Sequence, residues 1–222
     1  ATMMSCSFSA CSDNDEPTPD TGTSETDAKF EAIAKQYLDH TVYVTYKNLA
    51  DETEQLVKDL QALKSSKTDA NVKATCETFL EARAWWEKSE AFLYGAATDF
   101  GIDPHIDSWP LDLDGLQTAL KNTEQVEAMG GEDGDIYAGE KLGNSLLGFH
   151  GIEYILFEDG SPKSVSKISD LHLTYAVAVA GDLRNRCWQL ELSWRGESAV
   201  NADRVAKVAN ELELPYTVNS GE

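Results

Sequence analysis

His150 and Glu153 stand three residues apart in the stretch GFHGIEYILF, residues 148–157. An imidazole and a carboxylate at that spacing lie about one helical turn apart, so both can reach one point beside a helix. Such a pair can ligate a metal ion or move a proton. Residues 82–95, ARAWWEKSEAFLYG, carry Arg83, Trp86 and Glu90. Asp103, His105 and Asp107 follow in DFGIDPHIDSWPLDLDG, residues 99–115.

Two arrangements suit these groups. One is a metal centre: His150 and Glu153 from one helix, Glu90 from a facing helix, and Asp107 or Asp103 from the aspartate-rich segment, with His105 a minor candidate. A histidine with carboxylates suits iron, zinc or manganese. The other is a purely structural network in which Arg83 pairs with Glu153 or Glu90 beside a neutral His150, because a charge taken from water needs a partner. The HxxE spacing alone does not choose between them, since it arises often by chance. Other chemistries lack their signatures: no HExxH, GxSxG, P-loop or GxGxxG is present.

The elements that must position these groups read as helices. Phe30, Ile33, Tyr37, Thr41 and Val44 recur at helical spacing, and Leu56, Leu60 and Leu63 continue the pattern after a bend. Val72, Cys76, Phe79, Arg83, Trp86, Glu90 and Leu93 share one face of a second helix. A third is expected from Ile136 to about Glu158, with Leu142, Leu146, His150, Glu153 and Phe157 as its apolar face. A fourth runs from about Ser166 to Trp194, through Leu171, Tyr175, Val179, Leu183, Cys187 and Leu190, and a shorter segment covers Ala199–Leu214. No run alternates strictly as a strand would. The fold expected is all-α: an up-and-down four-helix bundle with an extra short C-terminal helix and a disordered N-terminal linker. On this division residues 1–26 form the leader and linker, and residues 27–222 the bundle.

The 39 acidic residues against 18 basic give a formal charge of −21. Such a surface repels phosphate backbones, so nucleic acid is not an expected partner. No apolar run approaches the roughly 18 residues of a spanning helix. The start, ATMMSCSFSAC, reads as the tail of a signal peptide, and FSAC resembles a lipobox that would leave Cys11 as the lipid-bearing first residue. The acidic, Pro- and Thr-rich residues 12–26 read as a linker. Attachment to a membrane by a lipid anchor follows, on the outer membrane of a bacterial envelope, facing the periplasm or the cell surface. Cys76 and Cys187 fall on apolar helix faces and are expected as buried thiols.

ARAWWEKSEAFLYG, IDPHIDSWPLD and GFHGIEYILF, in this order, resemble the imelysin family, also filed as M75 peptidases. The family's GxHxxE motif is matched by Gly148, His150 and Glu153, its SEAF segment by Ser89–Phe92, and its DSWPLD segment by Asp107–Asp112. The resemblance implies an exported, often lipid-anchored, all-helical envelope protein built from two related bundles and linked to iron. This chain would be the first bundle. It is expected to bind iron, or an iron-containing ligand, at His150, Glu153, Glu90 and Asp107, supported by Arg83, Trp86 and Gly148. Envelope iron-transport proteins are the expected partners. The alternatives are a metallopeptidase of the M75 type and the structural network alone.

Overall fold

The computed structural model describes residues 24–212. Cys11 and most of the expected linker lie outside the described residues. The chain divides into residues 1–36 and residues 37–222, which are taken separately.

Helix α1, Glu25–Tyr37, is opened by Ser24, whose hydroxyl accepts from the Asp27 amide at 3.1 Å. It buries none of its side chains. Phe30 is 65% exposed and Ile33 62%, so the core face expected of them is not formed.

In the second unit, a π-helical turn at Leu38–Val42 leads into α2, Tyr43–Ser65. Helix α3, Asp69–Ser89, returns against it after a short turn, capped by Thr68, whose hydroxyl accepts from the Asn71 amide at 3.1 Å. Such a cap contributes about 1 kcal/mol. Then come α4 (Ala96–Asp99), α5 (Asp103–Asp107), α6 (Leu113–Lys121), α7 (Thr123–Met129), α8 (Gly134–Lys141) and α9 (Gly148–Leu156). A two-residue hairpin pairs β1 (Phe157–Glu158) with β2 (Ser161–Pro162) in antiparallel register, Phe157 opposite Pro162. Helix α10, Asp170–Arg195, and α11, Ala202–Glu211, complete the described fold. No described helix is long and apolar enough to cross a membrane.

The architecture is the all-helical bundle that the periodicity predicts. Helices α2, α3 and α10 are continuous members, and α11 is the short addition. The third member departs from expectation: it is split into α8 and α9 by a break at Leu142–Leu147. The split resets the helical phase. In α9 the buried face is Phe149, Ile152, Ile155 and Leu156, whereas His150 is half-buried and Glu153 exposed. The expected stripe of Leu146, His150, Glu153 and Phe157 is therefore not the core face.

Helix α10 is the centre of the core, packed against α2, α7, α8, α9 and α11. It buries side chains all round: Leu173, Tyr175, Val179, Leu183, Cys187 and Leu190, but also Asp182, Asn185, Gln189 and Glu191. The buried acids have partners, since burying an unpaired charge is costly. His105 Nδ1 lies 3.2 Å from Asp182, and Arg204 is 2.8 Å from Glu191. Cys76 and Cys187 are free, buried thiols. Burial pushes the Cys76 thiol up to about 11.

Candidate functional site

Gly148 starts α9 with φ of +65°, a conformation that suits glycine. A Cβ there would lie 2.7 Å from the His105 carbonyl oxygen and closer still to that of Ile106. The absence of a side chain thus lets α9 meet the backbone of α5. That approach carries Asp107, at the end of α5, to His150, the third residue of α9.

Asp107 is the hub of the site. It accepts from Arg83 Nη1 on α3, from Trp86 Nε1 at 2.8 Å and from His150 Nε2 at 3.0 Å. Arg83 also reaches Glu87 at 2.7 Å, and its guanidinium lies 5.3 Å from the centroid of Phe149. Burial works to raise the Asp107 pKa, but the hydrogen bonds from His150, Arg83 and Trp86 prevail and hold it well below the usual carboxylate range. Asp107 is therefore ionised and can only accept, so Nε2 of His150 carries a proton.

The other ring nitrogen faces a second carboxylate. His150 Nδ1 lies 3.3 Å from Glu153 Oε2. The hydrogen bond to Asp107 is the largest influence on His150 and raises its pKa; burial opposes this, and Glu153 adds to the rise. Two acceptors facing each other, Nδ1 and a carboxylate oxygen, need a positive group between them. A proton supplies it in the imidazolium form, and a metal ion can supply it in the neutral form. A histidine whose second N–H is held by a carboxylate is the usual arrangement of a metal-ligating imidazole.

The remaining expected ligands fall elsewhere. Glu90 is exposed, in a 3-10 turn just past α3, where the helix has already ended, and it is not a core-facing partner of His150. Burial, then Glu87, Asp103 and Asp107, raise its carboxyl. Asp107 does meet His150, but as a carboxylate that already accepts from Arg83, Trp86 and His150. Its place is to orient the ring. Arg83 and Trp86 belong to the site through Asp107, and Arg83 pairs with Asp107 rather than with Glu153 or Glu90. His105 turns the other way, to Asp182. Among the described residues no group of three or more His, Cys, Asp or Glu side chains could hold a metal ion. Nδ1 of His150 and the Glu153 carboxylate remain facing each other, with Asp107 behind the ring.

Sequence reasoning missed Trp109. Its indole is 74% exposed, with its ring centroid 4.8 Å from that of His150. Its place in the SWPLD segment was the available signal.

The imelysin profile of the M75 peptidases matches residues 42–216. Iron-regulated protein A from Synechococcus elongatus is 31% identical over 163 residues, spanning 73% of this chain and 40% of its own length. A crystal structure described as an iron-regulated protein A precursor, from Parabacteroides distasonis, superposes with a TM-score of 0.67 at 26% identity, over 89% of this chain and 55% of that one. An imelysin peptidase from Bacteroides ovatus superposes with a TM-score of 0.54 at 33% identity, over 62% of this chain and 39% of its own. The chain spans about half or less of the length of these relatives. With a profile match over most of its length, the chain belongs to the imelysin family.

Proposed function

We propose that this chain binds iron presented in a chelate, with Nδ1 of His150 and the Glu153 carboxylate as the protein's two donors. The observation that carries the reading is the facing pair itself, 3.3 Å apart, with Nε2 turned to an ionised Asp107. Two donors do not enclose a bare ion. They suit an ion whose other positions are already filled by a small chelator. The names of two relatives, both iron-regulated protein A, point to iron as the metal; zinc is the second choice on donor chemistry. Bound there, the metal would hold its ligand and carry charge; Asp107, Arg83 and Trp86 fix the ring that receives it.

Binding is favoured over hydrolysis. Cleaving a peptide would need a general base besides the groups holding the ion, and Glu153 is one of only two holders. The anchoring of the chain through Cys11, its place in the bacterial envelope and its work beside iron-transport proteins belong to the same proposal. They are supported by the lipobox-like FSAC and the polar stretch after it.

Calorimetric titration with ferric nitrilotriacetate tests the reading, because that chelate leaves two positions open. Saturable binding is expected in the wild type, weakened about tenfold or more in His150→Ala and in Glu153→Ala, with helical content unchanged. Equal affinity in all three proteins would leave only the structural network. Chelator-sensitive casein hydrolysis that disappears in His150→Ala would replace binding with the peptidase reading. Mass spectrometry of the mature N-terminus from cells making the full precursor checks the anchor: an unmodified peptide spanning Ser7–Ser12 would remove it.

A further inference from the structure

A groove opens beside the His150–Glu153 pair, with a volume of about 190 Å³. Trp109, Leu111, Tyr154 and Phe157 line it together with His150 and Glu153, and the hairpin adds the carboxylates of Glu158 and Asp159. The hairpin closes one side. Asp159 at φ +50° and Gly160 at φ +72° form its two-residue turn, the Asp-Gly pair that tight hairpins favour. Only Gly160 lacks a side chain there, and nothing stands within 4 Å of where its Cβ would be.

The groove is open to solvent and has room for one six-membered ring, since an enclosed apolar cavity of about 150 Å³ accepts one benzene. Trp109 offers a broad free surface, since it is 74% exposed while touching His150. One side of Tyr154 is already taken by the Lys163 ammonium, 4.8 Å from its centroid, which leaves the indole as the main stacking surface. Aromatic rings at such surfaces gain attraction beyond the area they bury.

We infer that the groove is a subsite for one aromatic ring, carried by the chelator whose metal His150 and Glu153 hold. The ligand class is an aryl chelate: its ring lies against Trp109 and its donor head points to His150. This deepens the binding reading and rests on it for the head group. The ring subsite itself needs no metal.

The test therefore has two arms. In metal-free protein, binding of benzohydroxamic acid and, separately, acetohydroxamic acid is followed by NMR of the ligand resonances, which reads the wild type and Trp109→Ala alike. The two share a head group and differ by the ring. Benzohydroxamic acid is expected to bind about tenfold more tightly, and Trp109→Ala to abolish that preference. The second arm titrates Trp109→Ala with ferric nitrilotriacetate, which carries no aromatic ring, and wild-type affinity is expected because the metal donors are untouched. Equal affinities for the two acids in the wild type, or a ring preference that survives Trp109→Ala, would overturn the ring subsite. Ferric nitrilotriacetate that fails to bind the wild type while the ring preference holds would overturn the metal reading alone.

Discussion

Gly148 and Ile106 meet backbone to backbone: a Cβ on Gly148 would fall 2.6 Å from the carbonyl carbon of Ile106. Both the overlap and the positive φ oppose any other residue at this position. Gly148→Ala should cost about 1–3 kcal/mol in a urea melt. It should also push α9 away from α5 and lengthen the His150–Asp107 bond. The His150 pKa, followed by NMR, should then fall back toward its ordinary value. An unchanged melt and an unchanged pKa would mean that the close approach is not what aligns the site.

Asp107 and Glu90 separate by stability. Asp107→Ala leaves the Trp86 N–H and the Arg83 guanidinium without their shared acceptor. A loss of about 3 kcal/mol is expected. Glu90 is exposed, so Glu90→Ala should stay within about 0.5 kcal/mol of wild type. Similar losses in both variants would put Glu90 inside the network after all.

Stability should respond to pH through His150 in a definite sense. Its folded pKa is raised, chiefly by Asp107. The stabilisation is therefore complete below the unfolded histidine value of about 6.5 and fades as pH rises through the folded value. His150→Gln should cost more at pH 5.5 than at pH 8.5 in matched denaturant melts. Asp107 works at the other end: its depressed pKa gives stability above about 3.9 that is lost as pH falls through its folded value. A His150→Gln penalty that grows with pH would contradict the imidazolium bridge.

Ligand binding should run the opposite way across the same range. A proton and a metal compete for Nδ1, so ferric nitrilotriacetate should bind less tightly at pH 5.5 than at pH 7.5. Glu90→Gln should bind as wild type does. Affinity that is flat with pH would mean that Nδ1 takes no part.

The periodicity of Val72, Cys76, Phe79 and Trp86 was enough to place α3, and that of Tyr175, Val179, Leu183 and Cys187 to place α10, because both helices are long and keep one phase. The same reasoning failed from Leu142 to Phe157. There the apolar spacing runs straight through Gly148, and nothing in residue type alone reveals its positive φ. Glu90 was misplaced for a related reason: it follows the α3 pattern by one turn, but the helix has ended. His150, Glu153 and Asp107 were singled out by type and spacing, and the structure brings the three side chains together. Whether Asp107 is a ligand or an acceptor depends on Arg83 and Trp86 arriving together from α3, which is a tertiary fact. Trp109 escaped because an exposed aromatic leaves no periodic trace.

The position of α10 has a consequence for how the chain acquires its structure. Helices α2 and α3 are neighbours in sequence and can pair as soon as both exist. The far side of α2 has no cover until α10 is available, and Lys67 and Asp170, bonded at 2.9 Å, are 103 residues apart. Closing so long a loop is slow compared with forming a local helix pair. Until that loop closes, the pair of α2 and α3 lacks the cover that α10 gives to α2, and in that interval the chain is most open to aggregation and to capture by a chaperone.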